Sequence, residues 1–347
     1  MTPPEAARPW RDSEQPLLLA RVVRETADVA TFVFRAPEPA WFGYLPGQFL
    51  TLDLPTAAGT LSRTYTLSSS PSRPDAVSVT VKAQPGSVAT RWMLDHLKPG
   101  DRIWAHGPAG AFSCALHPAP KYLFVAAGSG VTPMVSMARW ADDVALDADI
   151  LFVASARTPA DLLFRAELQT MAARSERFRL RLAVTQPDGA WTGHAGRLTA
   201  TMLHLMAPDL AEREVFCCGP LAFMQTVRAA HLAAGGDARR YHEEAFHPVE
   251  AEAPADASAA PAGRVRFTLA DLDVDAAEGE TILQIARGAG LNIPSGCTMG
   301  LCGTCKVRCL EGRTDMRHQG GIMEDDIAEG FVLACCTRPL GTVAIEA

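Results

Sequence analysis

No run of about 18 uninterrupted apolar residues occurs in this 347-residue chain, so no membrane-spanning helix is expected. Residues Met1 to Glu14 lack the basic start and apolar stretch of a secretory signal, and with nine cysteines suited to a reducing compartment a cytoplasmic location is the expectation. A basic face is missing too. The formal net charge is −7, which argues against nucleic acid as a partner. The dinucleotide fingerprint Gly-x-Gly-x-x-Gly is absent, as are internal repeats and any nucleophilic triad. A second Cys-x2-Cys pair, or a Cys pair with a His pair, is also absent, so the usual structural zinc patterns are excluded. Aromatic residues make up only 7%, yet 48% of the chain is hydrophobic, enough for the cores of two or three domains.

What is present centres on cysteine. Of nine cysteines, Cys297, Cys302, Cys305 and Cys335 follow the spacing Cys-x4-Cys-x2-Cys…Cys, the pattern that holds a plant-type [2Fe–2S] cluster. Gly296, Gly300 and Gly303 allow the backbone to wrap closely around the metal and aim N–H groups at its sulfurs. Such a cluster carries one electron at a time, and nine cysteines with four committed to iron suit a reducing compartment. The acidic excess lies towards the C-terminus: residues 264–347 hold 12 acidic and 8 basic side chains, a surface able to steer a basic partner protein.

Three regions are distinct before that acidic segment ends the chain. Short alternating runs from Leu17 to Cys114, such as Val77-Ser-Val-Thr-Val, predict an antiparallel β-barrel. From Lys121 to Phe246, buried runs (Tyr122-Leu-Phe-Val-Ala-Ala, Ile150-Leu-Phe-Val-Ala, Val215-Phe-Cys-Cys) alternate with helical stretches such as Pro159 to Ala173, which predicts a parallel sheet with helices on both faces. Val249 to Gly263, rich in Ala and Pro, reads as an extended tether.

Candidate binding groups lie on these regions. In Arg63-Thr-Tyr-Thr, alternation along a strand places Arg63 and Tyr65 on one face, a guanidinium for phosphate and an aromatic for a planar ring. In Pro85-Gly-Ser-Val-Ala-Thr, the turn at Gly86 opens a helix whose free N–H groups suit a pyrophosphate. Gly128-Ser-Gly-Val-Thr-Pro follows an apolar strand, and Gly128 and Gly130 permit close approach of a phosphate. Cys218-Gly-Pro closes the last apolar run at the end of the sheet where ligands bind, with Cys218 facing a ring or simply packed as a thiol.

In this order and spacing, Arg63-x-Tyr-Thr, the Gly128 loop and Cys218-Gly-Pro resemble the ferredoxin–NADP reductase superfamily. With the C-terminal cysteine motif the chain is similar to the reductase components of Rieske-type oxygenases, and also to the reductase of the hybrid-cluster protein. Gly320-Gly-Ile…Asp326-Ile-Ala-Glu-Gly-Phe-Val-Leu-Ala-Cys-Cys most resembles reductases serving demethylases of glycine betaine, stachydrine and related quaternary amines. The resemblance implies a multidomain protein: a tail at 1–14, an FAD-binding β-barrel at 15–116, an α/β NAD(P)H-binding domain at 117–248, a linker at 249–263 and a β-grasp ferredoxin domain at 264–347. It implies that Arg63 contacts the FAD phosphates, Tyr65 and Thr66 the flavin, and Gly86, Ser87, Val88 and Thr90 the pyrophosphate, with Phe246 covering the ring. Gly128, Gly130, Thr132 and Pro133 would cradle the nicotinamide nucleotide, Cys218, Gly219 and Pro220 would flank its ring, and Arg157 lies where NADH and NADPH are told apart. Thr66 and Cys218 would stand at the point of hydride transfer.

The implied activity is electron transfer from NADH, with NADPH possible, through FAD and [2Fe–2S] to a partner protein. The expected acceptor is an N-demethylating Rieske-type monooxygenase, with the hybrid-cluster protein as the alternative. A non-catalytic metal-binding or redox-sensing protein is the alternative from another class. In the Leu-Ala-Cys register Cys335 is the ligand, with Cys336 able to substitute if the loop slips by one residue, whereas Cys309 and Cys114 match no ligand position and read as packing thiols.

Overall fold

A computed structural model describes the chain except residues 1–7, 12–14, 58, 85, 247–262, 292, 294, 296–299, 301–302, 304 and 319–320. The expected ligands Cys297 and Cys302, and the tether up to residue 262, lie outside the described residues. Residues up to Phe246 build most of one compact unit, and the C-terminal region builds most of a second.

The first unit begins with a six-stranded sheet. Its strands neighbour one another in the order Gly59–Thr66, Phe49–Thr56, Arg102–Ala109, Leu17–Thr26, Val29–Arg35 and Val77–Lys82. Just past the first of these, Leu67 bridges antiparallel to Val79 in the last, so the two edges meet and the sheet closes as a barrel. Leu17, Leu19, Phe32, Phe34, Leu50 and Leu52 fill its interior. Val77–Lys82 alternates as the sequence predicts, yet both of its faces are buried. Its polar face survives burial because the hydroxyls pair: Ser68 with Ser78 and Thr80 at 3.0 and 2.9 Å, and Thr80 with Thr31 at 2.8 Å. Within the expected tail, Arg8–Pro9 pairs with Ala40–Trp41, and the buried Trp10 ring packs 5.3 Å from Phe42.

The same unit continues into a parallel sheet ordered His194–Ala195, Phe178–Val184, Asp149–Ala156, Lys121–Ala127, Glu214–Cys218, Tyr241–Glu244. Period-two alternation splits each central strand between two cores. Tyr122, Phe124, Phe216 and Cys218 pack on one face with the helices Val131–Asp143 and Arg165–Arg174. Leu123, Val125, Val215 and Cys217 pack on the other with Ala200–Met206 and Leu221–Ala233. The expected helix from Pro159 is shorter than its sequence implies. Pro159–Asp161 forms only a single 3-10 turn, and Phe164, in the left-handed region at φ 56°, breaks the chain before the helix starts at Arg165.

The second unit is a five-stranded mixed sheet in the order Leu272–Ala276, Gly263–Phe267, Thr342–Glu346, Lys306–Glu311, Phe331–Leu333. Gly263, the last residue of the expected tether, opens its first strand. The helix Ile282–Gly288, started by a Thr281/Gln284 capping box, buries Ile282, Leu283, Ile285 and Ala286 against Val265, Phe267 and Ile345. Among the described residues, no helix is long and apolar enough to cross a membrane.

Candidate redox site

The carboxyl ends of the parallel strands carry the site. Lys121–Ala127 runs into a one-turn 3-10 helix, Gly128–Gly130, and then into the helix Val131–Asp143, whose first turn contains Pro133 and no acidic side chain. Gly128 takes φ 57°, in the left-handed region that favours glycine, and a Cβ placed on it would meet nothing within 4 Å. Thr132 donates its hydroxyl to the Ser129 carbonyl, holding the loop closed at 3.1 Å.

Gly130 is required for a different reason. A Cβ there would lie 2.4 Å from the carbonyl oxygen of Cys218 and 2.9 Å from the Gly219 nitrogen, so the loop and the Cys218-Gly219-Pro220 turn are in backbone contact. Gly219 is almost as tight: its Cβ would stand 3.0 Å from the Ala127 Cβ. Gly130→Ala should therefore push the two walls apart and lower NADH-driven ferricyanide reduction by about tenfold or more, since catalysis is lost with ångström displacements. Gly189→Ala, with no atom within 4 Å of the added carbon, should leave the rate unchanged. Equal rates in both variants would count against a nucleotide seat at this contact.

Across from this turn stands the strand Gly59–Thr66. The buried Thr66 hydroxyl donates to Glu244 Oε2 at 3.3 Å, a link between residues 178 positions apart. Glu244 pairs in register with Cys218 on the neighbouring strand. Three groups thus converge: Thr66 and Cys218, both singled out from sequence, and Glu244, which was not. Nothing in Tyr241-His-Glu-Glu-Ala-Phe distinguishes Glu244 from Glu243; only the strand register against Cys218 does. Burial, reinforced by the nearby Glu244 carboxylate, pushes the Cys218 thiol well above its ordinary range. Cys218 is wholly buried and stays protonated, so it contributes shape rather than a thiolate nucleophile.

Around this point Tyr65 is half-buried against the barrel core, and Phe246 is 44% exposed two residues beyond Glu244. Arg63, also half-buried, donates from its guanidinium to the Ser62 carbonyl at 2.8 Å. Ser87 caps the helix Val88–His96 by accepting from the Thr90 N–H, and Thr90 in turn accepts from the Gln84 N–H at 3.0 Å. Gly86 at φ 76° opens this turn, and no acidic side chain stands in the first turn to repel a pyrophosphate.

Arg157 lies apart, two residues past Ser155, which pairs with Ala127 beside the loop. Its guanidinium is 3.6 Å from Asp161. Burial alone would raise the Asp161 carboxyl, but hydrogen bonds from the Thr158 side chain and backbone, and the nearby Arg157, hold it below its ordinary range.

In the second unit, Cys305 and Cys335 are both buried, and the Cys335 N–H donates to the Cys305 sulfur at 3.4 Å. Gly300 and Gly303 take φ 73° and 74°, and added Cβ atoms would meet the Cys336 sulfur and the Gly321 carbonyl oxygen at 2.7 Å each. Two closely packed glycines and an N–H aimed at sulfur fit a thiolate-held cluster. The Cys336 sulfur instead points to the Leu333 carbonyl at 3.7 Å. Among the described cysteines none forms a disulfide.

Comparison with known proteins agrees with this layout. Residues 16–114 match an oxidoreductase FAD-binding domain, 124–229 an oxidoreductase NAD-binding domain, and 269–340 a 2Fe-2S iron-sulfur cluster binding domain. The chain is 48% identical to the stachydrine N-demethylase reductase subunit of Rhizobium meliloti, over 97% of this chain and 98% of that one. It is 42% identical to the glycine betaine monooxygenase reductase subunit of Pseudomonas aeruginosa, over 99% and 98%. Its fold is similar to that of phthalate dioxygenase reductase, with a TM-score of 0.59 at 23% identity, covering 95% of this chain and 97% of that one.

Proposed function

Because the chain belongs to the family of FAD-, NAD- and 2Fe-2S-binding reductase subunits of oxygenases, we propose that it delivers electrons from NADH to a Rieske-type monooxygenase that N-demethylates a quaternary amine. The observation that carries this reading is the succession of FAD-binding, NAD-binding and 2Fe-2S domains along a chain 48% identical to a stachydrine N-demethylase reductase subunit. Bound to their three domains, the nicotinamide nucleotide, FAD and [2Fe–2S] supply the conversion of a two-electron donation into single-electron delivery.

The chain's own residues seat and orient these groups. Arg63, Tyr65 and the Gly86, Ser87, Val88 and Thr90 turn are assigned to FAD, with Phe246 over its ring. Gly128, Gly130, Thr132 and Pro133 are assigned to the nicotinamide nucleotide, whose ring Gly219 and Pro220 flank. Glu244 fixes the direction of the Thr66 hydroxyl, and Cys218 fills the space behind the seat as a neutral thiol. Cys297, Cys302, Cys305 and Cys335 are assigned to the cluster, and the cytoplasm to the protein as a whole.

NADH is preferred over NADPH in this reading because Asp161 already engages Arg157, the cation that a 2′-phosphate would need. The expected kcat/KM ratio is about tenfold or more in favour of NADH, and a preference for NADPH would overturn the assignment. Reconstitution tests the acceptor. With NADH and an oxygenase component acting on stachydrine or glycine betaine, the protein should support formaldehyde release matched to NADH consumption. Faster reduction of a hybrid-cluster protein, with no demethylation, would favour the alternative acceptor.

A further inference from the structure

Away from the redox site, three segments distant in sequence bring together two imidazoles and a carboxylate. His117 follows the turn Cys114–Leu116, Glu214 opens the strand Glu214–Cys218, and His242 lies on Tyr241–Glu244. One ring nitrogen of each histidine and one oxygen of Glu214 lie within 4.8 Å of one another. Glu214 precedes Cys218 by four residues on one strand, which separates the two places by roughly 13 Å.

The group is built rather than incidental. His242 Nε2 is 2.6 Å from Glu214 Oε1, and the two imidazole rings lie 3.9 Å apart at 31°. Arg240 Nε holds the other oxygen of Glu214 at 3.2 Å, which orients the carboxylate. Phe216 stacks on His242 at 4.7 Å, and the Tyr122 hydroxyl donates to the His117 carbonyl at 3.0 Å, fixing the backbone of that residue. Glu214 is buried, while both histidines are reached by solvent. Imidazole nitrogens and a carboxylate oxygen gathered this closely are donors that a metal ion can share.

We propose that His117, Glu214 and His242 bind a divalent transition metal of the Zn2+ type. Two nitrogen donors and one carboxylate oxygen are a zinc donor set with a fourth position left for water. The bound ion would clamp the connector that leaves the barrel to the last two strands of the parallel sheet. It thereby stabilises the element that carries Cys218 and Glu244 without touching either.

The test uses the full-length holoprotein, stripped of loose metal with chelator and desalted. Zinc sulfate is titrated in competition with a fluorescent zinc indicator for wild type, His117→Ala and His242→Gln, with NADH–ferricyanide activity as the check on folding. Wild type should take up one equivalent more than either variant. Zinc at a hundredfold excess over Kd should raise the thermal midpoint by about 5 °C in wild type alone. Equal zinc uptake by all three active proteins, with no difference in midpoint shift, would overturn the proposal.

Discussion

Cys305→Ala is expected to abolish electron delivery to the oxygenase while NADH-driven ferricyanide reduction stays within about twofold of wild type. The reason is the division of labour between the two units. Cys305 is buried in the C-terminal core, its sulfur accepts the Cys335 N–H, and neither residue is among those assigned above to flavin or nucleotide. A plant-type cluster needs all four thiolates, and ferricyanide takes electrons from reduced flavin directly. Loss of both activities would mean that the cysteine is structural for the whole chain. Retention of both would remove Cys305 from the ligand set.

Arg213→Leu is expected to produce a large loss of stability in the nucleotide-binding domain. Arg213 is fully buried, with a bidentate pair to Asp209 at 2.8 Å, a contact to Asp149 at 3.0 Å and a hydrogen bond to the Tyr122 carbonyl at 2.8 Å. Leucine fills only part of the space and leaves two carboxylates facing an apolar side chain, which costs about 3 kcal/mol. A fall in the thermal midpoint of roughly 10 °C should follow. Burial alone would raise both carboxyls, but the Arg213 hydrogen bonds, helped by Arg179 at Asp149 and Lys121 at Asp209, hold them below the ordinary value of 3.8. Lowered folded-state pKa values mean that this stabilisation is complete at neutral pH and drains away as the pH falls through 3.8 and below. Arg213→Leu should therefore also flatten the acid limb of the stability profile. A midpoint shift under about 2 °C would show that Arg179 and Lys121 suffice.

Much of this was readable before folding because it depends on local spacing. The cysteine pattern needs only a loop and one return strand, and strand–helix alternation from Lys121 onward shows in runs as short as Val215-Phe-Cys-Cys. The Gly128 loop was legible because a strand, glycines and Pro133 occur consecutively. What escaped depends on register or on distance. Glu244 acquires meaning only when paired beside Cys218 and bonded to Thr66 across 178 positions. The break at Phe164 rests on a left-handed backbone that its side chain gives no reason to expect. The pairing of Arg8–Pro9 with Ala40–Trp41 is too short to leave a periodic trace. His117, Glu214 and His242 are ordinary residues until one turn and two strands meet.

The central claim is an ordered path from NADH through flavin to a single-electron carrier, and one measurement reaches it directly. The freshly purified protein is titrated anaerobically with NADH and followed by visible absorbance and low-temperature EPR. The account predicts bleaching of both a flavin band and a broad iron–sulfur band, with a rhombic signal from one unpaired electron per chain. Flavin bleaching with no EPR signal, in protein shown to contain two irons per chain, would contradict it.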